Sequence, residues 1–379
     1  MNPDFHGTDA LLLVGDSERN ADLYYATRFR APDPFVFVWT SEEKIMMISE
    51  LELDRARSQA QVDRVLARSR YEQRLKKKGR DAAGFDDLLI ALLDELKLKR
   101  LGVPTDFPLG TAEALRKAGF LLEIIPSPFF PQRQIKTEAE IEAIRRSVQA
   151  AERGMQAAVE LLRRSEARKG VLYFENQILT SERVRRQIHF ALMEQACTAR
   201  HTIVAGGDQG CDPHQIGTGP LHPNETIIID IFPQSDLSGY FGDLTRTLVK
   251  GEAPEEIKRL YDTVLRGQEL ALERIRDGID GKVIHSAIQE LFLDAGYETG
   301  EKEGHLQGFF HGTGHGLGLE IHEEPRIGTR SQRLRAGHVV TVEPGLYYPG
   351  VGGIRIEDVV VVRFDGCENL TSFPKFLEI

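Results

Sequence analysis

Short apolar runs alternate with amphipathic stretches through the first third of the chain. Leu11 to Val14, Phe35 to Trp39 and Lys44 to Ser49 are only four to six residues long, which predicts buried strands rather than helices. From Asp86 to Leu98, Leu and Ile recur at helical spacing, so this segment combines strands and helices as an α/β domain does. The charged stretch from Arg55 to Arg80 includes Lys76, Lys77 and Lys78, but Asp54, Asp63 and Glu72 are interleaved with the cations. A solvated helical face is the expected result. Pro126, Pro128 and Pro131 then break the pattern, and Thr137 opens a TEAE capping-box sequence ahead of Ile141, Ile144 and Val148. These signals divide the chain into a smaller domain over residues 1–130 and a larger one over 131–379. Helices are expected from there to about residue 195. Beyond residue 200 the pattern is of glycine-rich strands and turns, broken by helices from Pro254 to Arg276 and from Val283 to Ala295.

Composition narrows the class. A chain of 379 residues with 41% hydrophobic and 28% charged side chains is long enough for two or three packed domains and too apolar to be disordered. The formal charge of -10 argues against nucleic acid or an anionic membrane as partner, because no basic patch is large enough to overcome the overall field. Cys197, Cys211 and Cys367 form no CxxC pair and suit a reducing, cytoplasmic setting. The N-terminal apolar run is four residues long and has no basic flank, so no export signal is expected, and no run approaches the ~20 residues of a membrane span.

The chemistry concentrates after residue 200. Asp230 interrupts the apolar run of TIIIDIFP, where a buried carboxylate is costly unless it is paired or binds a cation. In GYFGDLTRTLV, strand alternation puts Asp243, Thr245 and Thr247 on one face. HGTGHGLGLEIHEEP carries His311, His315 and His322 among so many glycines that extended structure is expected, with His311, Thr313 and His315 on one face. His322 has the opposite parity and joins them only if the strand bends or ends first. Glu343 closes an apolar strand before a Pro-Gly turn, and Glu357 lies inside another, with Arg355 on the same face and Asp358 on the other. Four carboxylates cannot ionise side by side in a partly buried pocket, whereas two divalent cations would neutralise them. Oxygen-rich coordination with one imidazole suits manganese, cobalt or zinc, and the ligand set does not choose between them.

The order Asp, Asp, His, Glu, Glu in the settings IDIFP, GDLTRT, HGTGHGLGLEIHEEP, TVEPGLY and GIRIED resembles the pita-bread metallopeptidase family, in its proline-specific branch of prolidase and aminopeptidase P. The resemblance covers roughly residues 137–379. The first 125 residues are similar, by position and pattern, to the α/β creatinase-type N-terminal domain of that branch. The implied architecture is therefore an α/β (α+β) chain with a C-terminal pita-bread metallopeptidase domain. The implied metal ligands are Asp230, Asp243, His315, Glu343 and Glu357, although Asp236, in the longer IFPQSDLSGYFG stretch, competes with Asp230. His214 of GCDPHQ, with His311 and His322, matches the histidines that line the substrate site. Glu343 is also a candidate proton shuttle, and Arg355 a candidate for binding substrate carboxylate or, alternatively, for orienting Glu357. The activity implied is hydrolysis of the bond before proline, chiefly in Xaa-Pro dipeptides, with longer Xaa-Pro peptides the alternative. A homodimer is also implied. A creatinase-like non-peptidase or an inactive binding member would lack part of the ligand set, and all five positions are filled.

Overall fold

The computed structural model describes residues 4–379, and the chain divides between Arg133 and Gln134 into two compact units. No helix among the described residues is long and apolar enough to cross a membrane.

The first unit is a six-stranded mixed sheet in the order β4-β3-β2-β1-β5-β6. Its strands are β1 (Ala10–Gly15), β2 (Phe35–Thr40), β3 (Lys44–Ile48), β4 (Arg64–Ala67), β5 (Arg100–Pro104) and β6 (Leu121–Ile125). The helices are α1 (Ala21–Thr27), α2 (Leu53–Gln59), α3 (Arg68–Lys76), α4 (Phe85–Glu95) and α5 (Leu109–Lys117). The central strands read as unbroken apolar runs because both faces are covered. Leu12, Val36, Val38 and Met47 pack with Leu89 and Leu92 of α4, while Leu11, Phe35, Phe37 and Met46 pack with Leu23 of α1 and Ala56 of α2. The charged stretch from Arg55 to Arg80 corrects the expectation of one helical face. It holds two helices separated by β4, whose Val65 and Leu66 pair in parallel with Met46 and Met47. Two apolar residues next to arginines are too weak a signal for a strand that is fixed by its neighbour.

The second unit begins with α6 (Glu138–Arg163), capped by Thr137 and Glu140 as the TEAE sequence requires. The chain to residue 195 is not all helical: β7 (Glu166–Arg168), β8 (Val171–Phe174) and β9 (Gln177–Ile178) form a small antiparallel sheet before α7 (Ser181–Met193). Its two-residue loops, Lys169-Gly170 and Glu175-Asn176, have positive φ at both positions, the geometry that matches strand twist in tight hairpins. Next come β10 (Cys197–Thr198), β11 (Ile203–Gly206), β12 (Thr226–Ile231), β13 (Gln234–Ser235) and β14 (Leu244–Val249). Helices α8 (Glu255–Arg274) and α9 (Gly281–Asp294) follow, then the hairpin of β15 (Gly300–Lys302) and β16 (His305–Gln307). The last strands are β17 (Gly314–Gly316), β18 (Glu323–Ile327), β19 (Val339–Val342), β20 (Gly345–Tyr348), β21 (Gly352–Arg355), β22 (Asp358–Val362) and β23 (Cys367–Asn369).

Two sheets carry this unit, β11-β12-β14 and β18-β17-β19-β22-β23. Each is backed by a helix pair. Met155, Val159 and Ile188 of α6 and α7 pack on Ile227, Ile229 and Leu248, whereas Leu260, Val264 and Ile288 of α8 and α9 pack on Val340, Val342 and Val360. The helices take up one face of each sheet, and the polar residues of the same strands gather on the other.

Candidate metal centre

Strand alternation builds the site. Leu244 and Leu248 of β14 enter the core beneath α6 and α7, so Asp243, Thr245 and Thr247 project the other way. The Thr245 hydroxyl donates to Glu357 Oε2 at 2.7 Å, and Thr247 exchanges hydrogen bonds with the backbone of Arg355 at 2.9 and 3.0 Å. Asp230 lies opposite Thr245 in the β12–β14 ladder. Because Val342 pairs with Asp358, Glu343 and Glu357 fall on the next rung beyond the end of that ladder. His315 is the middle residue of β17. A Cβ on Gly314 would meet Thr341 O at 1.9 Å and one on Gly316 would meet Glu324 O at 2.4 Å, so only glycines let the backbone carry His315 this close to both neighbours.

Ligand-competent atoms of Asp243, His315 and Glu357 all lie within 4.8 Å of one another. His315 Nδ1 faces Gly316 O at 3.1 Å, which leaves Nε2 with its lone pair 3.8 Å from Asp243 Oδ2 and 3.4 Å from Glu343 Oε1. Burial holds the Asp243 and Glu357 carboxyls well above the usual carboxylate range, and the like charges around them add to the shift. Burial also pushes Glu343 up to about 7, against the opposing pull of Arg355. His315 is lowered to about 3 by burial, then by His322, so it stays neutral and able to ligate. Asp230 Oδ1 is buried without a hydrogen-bond partner. A buried acceptor left open beside three crowded carboxylates and a neutral imidazole fits a cation-binding role, and these residues would hold divalent ions.

All nine side chains singled out in the sequence line one cavity of about 1260 Å³. His322 reaches it because the chain leaves β17 after Gly316 and turns before β18, bringing the His322 ring edge-on to His315 with centroids 4.5 Å apart. His311 turns Nδ1 to Gly312 O at 2.7 Å and Nε2 to the Tyr347 hydroxyl at 2.9 Å, so Nδ1 carries the proton and Nε2 accepts from tyrosine. His214 is exposed on the cavity wall, its backbone N–H donating to Asp212 Oδ1 at 3.1 Å. Asp236 is not part of the cavity lining. It sits in the turn after β13, where Thr198 donates to it at 3.0 Å.

Arg355 bonds a different carboxylate from the one its strand parity suggests. Its guanidinium donates to Asp230 Oδ2 at 2.8 Å and to the Tyr347 hydroxyl at 3.0 Å, so it orients Asp230, not Glu357. These two bonds take up one N–H on each terminal nitrogen. Asp358 points away from the cavity, as expected from its parity, and pairs with the buried Arg246 at 2.9 Å and with Lys375 at 2.8 Å. Two lining residues escaped the sequence reading. His285 of α9 bonds the Thr313 hydroxyl at 2.9 Å. Arg326 lies opposite His315 on β18 and makes no side-chain ion pair among the described residues. Its position next to HEEP was the available signal.

Residues 5–145 match the creatinase/prolidase N-terminal domain, and residues 142–363 match metallopeptidase family M24. The chain is 27% identical to a Xaa-Pro dipeptidase of Pyrococcus horikoshii over 378 residues, 99% of this chain and 95% of that protein. Among solved structures, an X-Pro aminopeptidase of Thermotoga maritima superposes with a TM-score of 0.82 at 25% identity, covering 98% of each chain. A Xaa-Pro dipeptidase of Bacillus anthracis does so with a TM-score of 0.81 at 26% identity, covering 98% of this chain and 96% of that one. The family match takes in the strands that bring the acidic side chains around His315, and the chain belongs to metallopeptidase family M24.

Proposed function

We propose that this protein is a dinuclear-metal peptidase that hydrolyses the bond between an N-terminal residue and a following proline, chiefly in Xaa-Pro dipeptides. The observation that carries the reading is the convergence of Asp230, Asp243, Glu343 and Glu357 around neutral His315 in one buried cavity. Relatives named as Xaa-Pro dipeptidase and X-Pro aminopeptidase support the substrate class. Two divalent ions, manganese first and cobalt or zinc otherwise, would neutralise the carboxylates and supply the Lewis acidity that amide hydrolysis needs at neutral pH.

The remaining roles fall to side chains. Glu343, at the edge of the acidic cluster and facing the cavity, is the candidate to take up and pass on a proton at its carboxylate. A bond to proline has no N–H to grip, and its nitrogen leaves as a secondary amine that must gain a proton. His322, beside His315 and on the cavity surface, is placed to donate there, with His214 the second histidine of that wall. His311 keeps Tyr347 against Arg355, and Arg355 in turn keeps Asp230 turned inward.

Dipeptide preference rests on Arg326. A dipeptide presents its carboxylate one residue from the scissile bond, and Arg326 is a cavity-lining guanidinium with no ion pair among the described residues. Arg326→Met is expected to raise KM for Ala-Pro ~10- to 100-fold with little change in kcat, as loss of a charged contact made equally in ground and transition states would. Comparing kcat/KM for Ala-Pro and Ala-Pro-Ala tests the assignment. A preference for the tripeptide would make the protein an aminopeptidase P. The proposal includes a homodimer in a cytoplasmic setting, and sedimentation of a fully active monomer at micromolar concentration would remove the dimer from it.

A further inference from the structure

The turn that carries His322 is built around a buried ion pair away from the metal centre. Lys136 Nζ lies 2.9 Å from Glu323 Oε2, with side chains only 2% and 7% exposed. Glu323 Oε1 accepts the backbone N–H of Glu320 at 3.1 Å, so the carboxylate spans the turn from inside. A Cβ on Gly318 would come within 2.6 Å of Glu323 Oε2, so the turn wraps closely around this carboxylate. The backbone N–H of Lys136 donates to Gly337 O at 2.9 Å, which anchors the cation on the segment leading into β19.

The start of α6 also fixes the approach to Asp243. The Ser147 hydroxyl donates to Tyr240 O at 2.9 Å, Tyr240 donates to Glu140 Oε1 at 2.6 Å, and Gly242 lies against the Ser147 backbone. The Phe241 N–H then donates to Gly318 O at 2.8 Å, joining the two segments to each other. One template thus holds both the loop entering Asp243 and the turn ending in His322.

We propose that Lys136 and Glu323 form a positioning pair for His322, a role that rests on the peptidase reading of the cavity. Charge burial on this scale gives little net stability, because the desolvation cost offsets most of the attraction. What the pair does provide is a fixed geometry for a six-residue turn that glycine would otherwise leave loose. The pair grips the turn that ends in His322, and it is through that turn that it reaches the cavity.

A mutant cycle with His322→Ala tests this. Glu323→Gln and Lys136→Met are expected to retain bound metal and the wild-type KM for Ala-Pro while kcat falls ~10- to 100-fold, the scale of a displaced proton-transfer group. In the His322→Ala background neither should lower kcat further, since removing one unit twice is not additive. Lys136→Arg should restore most of the rate. Hydrogen exchange followed by mass spectrometry should show the 317–323 segment exchanging at least ~10-fold faster in both variants, with α8 unchanged. If a single variant fails to fold, Lys136→Met with Glu323→Leu removes both charges together and serves in its place. Losses that multiply in the His322→Ala background would overturn the proposal, as would wild-type exchange at residues 317–323. An inactive wild-type enzyme would instead remove the peptidase reading, and the exchange measurement would still decide whether the pair holds the turn.

Discussion

Arg355 enters the cavity wall almost fully enclosed, and the partners it meets there are a carboxylate and a phenol. Its planar fork suits that pair of contacts, whereas a lysine would bring a single point charge. Arg355→Lys is therefore expected to leave the fold intact but weaken metal retention ~10- to 100-fold, the usual cost of losing a group that orients a ligand. Metal content after dialysis against graded chelator measures this. Retention equal to wild type would mean that Asp230 is oriented without Arg355. Asp230 itself was legible in the sequence, because a carboxylate inside an apolar run has few inexpensive explanations. Arg326 was not. It faces His315 across an irregular register between β17 and β18, and no local pattern encodes which residue a bulged strand sets opposite another.

Elements of period two were the most readable part of the chain. The alternation in β14 correctly separated Leu244 and Leu248 from Thr245 and Thr247, since one face meets the α6–α7 core and the other meets Glu357 and Arg355. Short pieces defined by partners were lost, as with β4, and so were the hairpins of β7 to β9, whose Lys-Gly and Glu-Asn loops were the only sequence marks. Parity arguments also stop at the end of a strand, which is why His322 needed the turn after Gly316 to reach the cavity. Glycine at 314 is the sharpest constraint at this scale. Gly314→Ala would drive a methyl into Thr341 O and push β17 off β19, so a destabilisation of about 1–3 kcal/mol or more is expected, with metal lost as His315 shifts. Urea unfolding together with metal analysis tests it, and a wild-type midpoint would show that the sheet yields without strain.

The catalytic unit as a whole places its acidic groups where two separately backed sheets face one cavity. Freed of metal, the folded chain favours protonated Glu343, Asp243 and Glu357, and so binds protons that the unfolded chain has already released. Stability of the chelated protein from this source is fully present below the ordinary carboxylate range and falls as pH rises above it, the Glu343 share being lost as pH passes about 7. Buried His338, lowered to about 4, and His311, lowered to about 3, act in the opposite sense up to about 6.5. Comparing chelated and manganese-loaded protein at each pH separates the two effects. The gain in Tm on loading is expected to be larger at pH 8 than at pH 5 by calorimetry, and an equal gain at both would contradict the charge argument. The metal-competent side chains are divided between the two sheets. Asp230 lies in one sheet and Asp243 just before a strand of it, His315 lies in the other sheet with Glu343 and Glu357 next to the ends of its strands, and 71 residues lie between Asp243 and His315. An ion shared among them would be a reversible cross-link closing a long loop, in the manner of a disulfide, and chelation would cut it without touching a covalent bond.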